Sequence, residues 1–188
     1  MVTNEYDFYI ADSDGGPSGD PFCFVKQKTF KFKEDIRFYT DSGRTEELLR
    51  IKARQRFDPS ARYDVTDSAG QTIGAIQKVF GASLLRSTYK LFDSSGQETA
   101  TVMEESRAVA AVRRLVGFVP YLSDVSNWLP IPYHFVFLRG DRVLGTHRRR
   151  MFKVRDAYDI DMTPDSDRTI DRRLVLAIAV GMDALQAR

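Results

Sequence analysis

Two stretches of this chain carry nearly the same pattern, and that pattern predicts β-hairpins. "YDVTDSAGQTIGAI" begins at Tyr63, and "YKLFDSSGQETATV" begins at Tyr89. In each, alternating apolar and polar residues flank a polar turn that contains Asp, Ser and Gly, which is the signal of two antiparallel strands joined by a tight turn. The repeat therefore favours a mainly β fold.

The same spacing recurs at the turns that contain Gly43 and Gly140. In all four places an apolar or aromatic residue stands seven positions before the glycine. Asp and Ser side chains bond to the backbone of such turns, and glycine supplies the positive φ that the corner needs. None of these glycines opens a helix, so they are structural rather than phosphate-binding. The residues at the shared offset are Ile36, Tyr63, Tyr89 and Tyr133.

The last segment of the chain has a different composition and predicts a helix. "DRRLVLAIAVGMDALQAR", from Asp171 to Arg188, is rich in Leu and Ala and follows Asp and Thr residues suited to capping. It is apolar on nearly every side between Leu174 and Met182, and such a helix must be buried all round. Because eight or more strands must also protect their edges, we predict a closed antiparallel β-barrel around this helix. The predicted core residues of the helix are Leu174, Leu176, Ile178 and Val180.

The beginning of the chain is typical of a linker. Residues 11–21, "ADSDGGPSGDP", concentrate Gly, Pro, Asp and Ser. We therefore predict a flexible tail and linker over 1–21 and one β-barrel domain over 22–188, with a helical insertion at about 104–130. A chain of 188 residues is long enough for one such domain with a sizeable core.

Charge, cysteine content and hydropathy exclude several classes of protein. A net charge of +2 is too small to indicate nucleic-acid binding by itself. The longest apolar run has nine residues, whereas a membrane-spanning helix needs roughly 20. The single cysteine, Cys23, excludes an internal disulfide and fits a reducing cytosol, and we expect it to be a strand residue rather than a nucleophile. We expect a cytoplasmic protein, soluble or peripheral at the membrane, without a cofactor.

The order of these motifs resembles a known family. "FVKQKTFKFKEDIRFYTDSG" is similar to its opening strand pair, the repeated hairpins follow, and "YDIDMTPDSDRTIDRRLVLAIAVGMD" is similar to its final strand and helix. Over about Phe22 to Asp183, the chain resembles the tubby C-terminal-like domains of LURP-one-related proteins and phospholipid scramblases. The resemblance implies an antiparallel barrel of about twelve strands around a hydrophobic helix.

The functions that this resemblance implies are diverse. They include phosphoinositide binding in tubby proteins, lipid scrambling in scramblases and plant defence in the founding member. Scramblases also carry a proposed calcium segment before the final helix, and the corresponding stretch here contains Asp159 and Asp161 as weak calcium candidates. The stretch lacks the closing glutamate and the spacing of an EF-hand, so strand-end and helix-cap acids are the alternative interpretation.

A segment that interrupts the hairpin pattern predicts a membrane-surface helix. In "SRAVAAVRRLVGFV", which starts at Ser106, apolar residues recur at helical spacing beside arginines, and aromatic residues follow. An apolar face flanked by cations suits the boundary of an anionic membrane. The alternative is a helix that caps one end of the barrel while its arginines reach water. The lipid-binding candidates are Arg107, Arg113, Arg114, Phe118 and Trp128.

A second basic cluster lies in "THRRRMFKVR", which starts at Thr146. Side chains alternate between the two faces of a strand, so only part of this cluster can share one face. We predict that Arg149, Lys153 and Arg155 share the outer face as candidates for binding a lipid headgroup. The alternative is a solvated strand face whose cations pair with neighbouring acids.

Reaction chemistry is not indicated by any motif. The sequence has no G-x-S-x-G, H-E-x-x-H or phosphate-binding loop and only two histidines. The leading hypothesis is therefore a non-catalytic tubby-like binding module that engages an anionic phospholipid or a protein partner at the cytoplasmic membrane surface, with no nucleic acid and no transmembrane segment. The alternatives are a scramblase-like lipid-handling activity and a small-ligand enzyme.

Overall fold

The computed structural model of the chain describes residues 3–28, 36–53, 62–79, 87–105, 134–150 and 157–186. These ranges contain eleven β-strands and, after them, one helix. In chain order they are β1 (Thr3–Ala11), β2 (Pro17–Lys28), β3 (Ile36–Tyr39), β4 (Glu47–Ala53), β5 (Arg62–Asp67), β6 (Thr72–Val79), β7 (Thr88–Asp93), β8 (Glu98–Glu104), β9 (His134–Arg139), β10 (Arg142–Arg150), β11 (Ala157–Asp161) and α1 (Arg172–Gln186).

The strands form one antiparallel sheet in which each strand lies beside its neighbours in sequence, in the order β1 to β11. The prediction of a mainly β fold that ends in a single helix is confirmed. Within the described ranges no hydrogen-bonded pairing joins β1 to β11, so the sheet is not closed there. Closure into a barrel and the count of about twelve strands stay predictions.

Contacts divide the chain into two compact units. The first is drawn from Met1–Gln77, Phe92–Gln97 and Ile170–Arg188, and the second from Lys78–Leu91 and Glu98–Thr169. The domain boundaries predicted from the sequence, with one domain over 22–188, stay a prediction.

The repeated sequence folds into two turns with the same hydrogen bonds. The Asp67 amide donates to the Gln71 carbonyl at 2.9 Å, and the Asp93 amide donates to the Gln97 carbonyl at 2.9 Å. In return, Oδ1 of each aspartate accepts the amide of the same glutamine at 2.9 Å. The Asp side chain thus closes each turn locally, as the turn chemistry predicts.

The glycines of three turns adopt the conformation that their position requires. Gly70, Gly96 and Gly140 have φ of 78°, 85° and 57°, which is the left-handed region that side chains disfavour. A Cβ at any of these positions would meet no atom within 4 Å, so backbone conformation rather than crowding explains the residue type. The predicted structural role of these glycines is confirmed.

The turn at Gly43 is built differently, and the prediction that Gly43 supplies its positive φ is wrong. Arg44 takes that conformation instead, with φ of 59°. Asp41 holds this longer turn, because its Oδ2 accepts the amides of Thr45 and Glu46, each at 2.9 Å. The corner therefore falls one residue later than the shared spacing predicts.

The first residues also differ from the flexible tail and linker predicted for 1–21. β1 and β2 pair along their length, from Thr3 opposite Lys28 to Ala11 opposite Pro17. A short turn joins them, in which Oδ1 of Asp12 accepts the Gly16 amide at 2.6 Å. Gly, Pro, Asp and Ser are the residues of linkers and of tight turns alike, so their composition did not separate the two.

The helix α1 is capped by Asp171. The Arg173 amide donates to Asp171 Oδ1 at 2.8 Å, which satisfies one of the amides that a helix start leaves unpaired. The guanidinium of Arg173 also contacts this carboxylate at 2.7 Å, and its hydrogen bond holds the pKa of Asp171 below its usual value. The cap therefore falls on Asp171, the first residue of the predicted helix segment, and not on the Asp and Thr residues that precede it.

Most of the helix surface between Leu174 and Met182 is buried. Leu174, Ile178 and Val180 are almost inaccessible to solvent. Leu176, which was predicted to belong to this core, is only half-buried. It lies on the same side of the helix as the half-buried Ala179, three residues later, so one stripe of the helix is less covered than the rest.

One glycine allows the helix to approach β6 closely. A Cβ at Gly74 would lie 2.8 Å from Leu174 Cδ1 and closer still to the Phe92 carbonyl oxygen. Real Cβ atoms do not occupy such positions, so only glycine fits between the strand and the helix here.

We predict that Gly74→Ala destabilises the protein by about 1–3 kcal/mol, because the extra methyl group forces a backbone oxygen or the helix to move. Gly181→Ala is the matched control. Its added Cβ would lie 4.0 Å from Ile76 Cδ1, an ordinary contact, and alanine favours the helix by about 1 kcal/mol. Urea unfolding of both variants measures the two changes, and equal losses would contradict the close approach at Gly74.

We also predict that Ile178→Ala lowers the free energy of unfolding by about 2–5 kcal/mol, because it leaves a cavity in a closed part of the core. Leu176→Ala removes the same number of carbon atoms from the half-buried stripe and costs less. The two variants are compared by thermal and urea unfolding. A larger loss of unfolding free energy in Leu176→Ala than in Ile178→Ala would contradict the half-buried position of Leu176.

Candidate functional site

The basic end of β10 belongs to the second unit and carries Arg148, Arg149 and Arg150. His147 is buried, whereas the Arg148 side chain is 53% exposed. Because side chains alternate along a strand, Arg149 lies on the face of His147, and Arg148 and Arg150 lie on the other. Alternation thus places Arg149 opposite the face of its two neighbours. Its predicted grouping with Lys153 and Arg155 as a headgroup site stays a prediction, because those two residues lie outside the described ranges.

On this outer face both arginines pair with carboxylates. Nη2 of Arg148 lies 3.3 Å from Oε1 of Glu105, and both side chains are substantially exposed. The Arg150 Nε donates to both carboxylate oxygens of Asp159, at 2.8 and 2.7 Å. The exposed pair of Arg148 with Glu105 contributes about 0–1 kcal/mol, so a competing anion can displace Glu105 at little cost. The Arg150 side chain is only 28% exposed, and its bidentate contact with Asp159 holds it more firmly. We name Arg148 and Arg150 the β10 arginine pair.

The two weak calcium candidates lie on the exposed side of β11 and already have partners. Asp159 is bound by Arg150, and Oδ1 of Asp161 accepts the Thr163 amide at 2.8 Å. The hydrogen bonds from Thr163 hold the pKa of Asp161 below its usual value. Among the residues that the structure describes, no three histidine, cysteine or acidic side chains are grouped to hold a metal. The geometry agrees with the strand-end interpretation of these acids.

A row of four rings, of which Tyr158 is half-buried and the others are buried, lies in the same unit. The ring centroids of Tyr89 and Phe135 are 6.4 Å apart, and those of Phe135 and His147 are 6.3 Å apart. His147 then stacks on Tyr158 at 5.1 Å with an interplanar angle of 16°. His147 is not among the site residues predicted from the sequence. No sequence signal marks it, because alternation along β10 does not tell which face of the strand is covered.

The environment of His147 keeps its ring neutral. Burial lowers its pKa to about 4, the positive charge of nearby His134 acts in the same direction, and Asp159 opposes them. Its Nδ1 is buried, and no hydrogen-bond partner for it is found in the described ranges. A neutral ring packed between aromatic side chains serves the core and cannot hold a proton for catalysis near neutral pH.

Cys23 is equally unreactive. It lies on β2 and is fully buried, and burial raises the pKa of its thiol to about 12. The thiolate is the nucleophilic form, so this cysteine is inert near neutral pH. The expectation of a strand cysteine rather than a nucleophile is confirmed by its position.

The remaining predicted site residues lie outside the described residues. The predicted helical insertion at about 104–130 also lies outside the described residues, except for Glu104 and Glu105. Glu104 ends β8, and Glu105 follows it. The residues concerned are Arg107, Arg113, Arg114, Phe118, Trp128, Lys153 and Arg155.

An antiparallel sheet in sequence order, followed by a single and mostly buried helix, defines a class of β-rich domains. The model of the LURP-one-related family matches residues 23–183, so the chain belongs to that family and its tubby-like relation is consistent with the fold. No curated protein and no solved structure matches the chain in the corresponding comparisons. In the described ranges, no helix is long and apolar enough to cross a membrane.

The depressed pKa of His147 predicts a dependence of stability on pH. The unfolded chain takes up this proton at the ordinary value of about 6.5, but the folded protein takes it up only near 4. The unfolded state therefore binds more protons in this window, and stability is complete above about pH 6.5 and falls as the pH drops toward 4. We expect the free energy of unfolding to decrease by roughly 2–3 kcal/mol between about pH 7 and pH 4.5.

His147→Phe should remove most of this dependence, because the ring stacking is kept and the titrating group is lost. Tyr158→Phe keeps His147 and should retain the dependence. Urea unfolding at both pH values measures the difference. The same slope in His147→Phe and in the parent protein would assign the effect to other groups.

Proposed function

We propose that this protein is a non-catalytic, tubby-like binding module that engages an anionic lipid at the cytoplasmic surface of a membrane. Membership of the LURP-one-related family over residues 23–183 supports a binding module of this class. The closed barrel around α1 is the frame that we propose for it. A protein partner at the same surface is the alternative ligand.

The lack of catalysis is supported by the state of the side chains that usually perform it. The Cys23 thiol has a pKa of about 12, and the His147 ring has a pKa of about 4. Near neutral pH the first is fully protonated and the second fully neutral, and both are buried. Neither group is poised to exchange a proton with a substrate, since a general acid or base works best with a pKa near the ambient pH.

The observation that carries the lipid hypothesis is the β10 arginine pair. Both guanidinium groups lie on the outer face of β10, and each pairs with a partly exposed carboxylate. Arginine binds phosphate through two parallel hydrogen bonds, and such bonds to a charged group are about twice as strong as neutral ones. A phosphate headgroup can therefore replace Glu105 at Arg148 at little cost, because the exposed ion pair that it breaks is weak.

Predicted residues beyond the described ranges would add cations to the membrane contact. Arg107, Arg113 and Arg114 belong to the predicted membrane-surface helix, and Lys153 and Arg155 follow the pair in sequence, in phase with Arg149. Each cation near an anionic surface contributes about 1 kcal/mol, so several together give measurable partitioning. Phe118 and Trp128 would add burial of aromatic rings at the headgroup boundary.

We predict that Arg148→Gln/Arg150→Gln weakens binding to vesicles of phosphatidylcholine and phosphatidylserine by about tenfold or more, because two cations of about 1 kcal/mol each are lost. Lys90→Gln/Arg142→Gln is the matched control. It removes the same charge from residues that also form surface ion pairs, at 2.7 and 3.7 Å. Co-sedimentation at low and high salt measures the partitioning. Vesicles of phosphatidylcholine alone should bind neither the parent protein nor the two variants.

Arg113→Glu/Arg114→Glu tests the predicted helix in the same assay. Thermal stability should stay nearly unchanged while binding to anionic vesicles weakens. A clear loss of stability would indicate a packing role for this segment. If all variants and the parent protein bind equally, or none binds, the lipid hypothesis is wrong and a protein partner takes its place. Calcium-dependent translocation of dye-labelled lipid would instead support the scramblase-like alternative.

A further inference from the structure

The hairpin formed by β1 and β2 extends beyond its pairing with β3. β1 and β2 pair as far as Ala11 and Pro17, but in the described residues β2 pairs with β3 only at Phe24 and Val25. The stretch Asp7–Phe22 is therefore a two-stranded ribbon, and we name it the β1–β2 ribbon. Two-stranded ribbons are marginally stable in water unless other groups pack on them.

The base of the ribbon is fixed to the core by aromatic rings. The centroid of Phe8 lies 6.4 Å from that of Phe22 and 6.5 Å from that of Phe38. Phe38 is fully buried in the first unit. These aromatic contacts hold the base of the ribbon in place. The ribbon can therefore act as an ordered binding surface rather than as a flexible tail.

The ribbon exposes large apolar side chains. Tyr9, Ile10 and Phe22 are 42%, 65% and 39% exposed, and Val143 on β10 is the other large apolar side chain found exposed in the described residues. The register shifts between Phe8 and Ile10, and such a bulge redirects the side chains beside it. A concentration of exposed apolar groups on one short element marks an interaction surface rather than ordinary scatter.

The charge of the ribbon selects the kind of partner. Residues 7–22 contain no lysine or arginine, in a chain whose net charge is +2. Their four acids form no ion pair within the part of the chain that the structure describes, although Oδ1 of Asp12 accepts the Asp14 amide at 3.0 Å. An anionic membrane would be repelled by this surface, whereas a cationic segment would be attracted. The acids are Asp7, Asp12, Asp14 and Asp20.

We propose that the β1–β2 ribbon docks a basic segment of a partner protein, whose apolar side chains pack on Tyr9, Ile10 and Phe22 and whose lysines or arginines pair with the ribbon acids. This surface belongs to the first unit, and the β10 arginine pair belongs to the second. The proposal therefore goes beyond the lipid function and does not depend on it.

The test uses the full chain and a fluorescent peptide of alternating lysine and leucine, followed by anisotropy. Asp7→Asn/Asp20→Asn should weaken its binding by about tenfold, because two attractive charges beside the apolar contact are lost. Asp141→Asn/Asp167→Asn changes the net charge equally at exposed positions outside the ribbon, and binding should change less than about twofold. Asp12 is left in place because it closes the turn.

The apolar half of the proposal has its own matched pair. Ile10→Ser should weaken peptide binding by about tenfold, whereas Val143→Ser removes an exposed apolar side chain outside the ribbon and should leave it unchanged. Both positions are exposed, so the melting temperatures of the variants should equal that of the parent protein. A peptide of alternating glutamate and leucine should not bind.

Several results would overturn the proposal. One such result is that the lysine–leucine peptide shows no saturable binding. Another is that the ribbon variants and the control variants weaken peptide binding equally. Dimerisation at rising concentration that Ile10→Ser abolishes would make a second copy of the chain the occupant. Binding to anionic vesicles that depends on Ile10 would show that the ribbon surface contacts a membrane. If the proposal holds, Asp7→Asn/Asp20→Asn weakens peptide binding but does not weaken anionic-vesicle binding, which separates this outcome from that of the lipid hypothesis.

Discussion

The burial of α1 is the constraint on which the first unit depends. A helix that is apolar from Leu174 to Met182 loses stability wherever water reaches it, so the strands must cover most of its surface. The contact at Gly74 shows how closely the strands pack on α1, because not even one methyl group can be added there. The capping of the helix by Asp171 then sets where the buried stretch begins.

The strands themselves are organised by short turns. Each hairpin of the repeat is closed by an aspartate that bonds to the backbone of its own turn, so adjacent strands pair without help from distant residues. An antiparallel sheet in sequence order follows from a succession of such local closures. The turn at Asp41 achieves the same closure with a different corner residue, so the aspartate is the shared element and the position of the glycine is not.

The polar groups of the molecule divide into buried ones that are inert and exposed ones that are weakly paired. Cys23 and His147 are held in their neutral forms by burial, which removes them from reaction chemistry. Arg148 and the acids of the β1–β2 ribbon are exposed, and exposed opposite charges exchange at little cost. This distribution agrees with the family, which is generally non-enzymatic.

The sequence by itself determined the mainly β class, the positions of the repeated turns, the final helix and the family. These features depend on local periodicity and on bonds between near neighbours in the chain. Only the tertiary structure decided that residues 3–11 pair with β2, that Arg148 rather than Arg149 faces outward, and that His147 is buried. Which face of a strand is covered depends on its register with distant strands, and a shift of one residue exchanges the two faces, so alternation alone could not assign them.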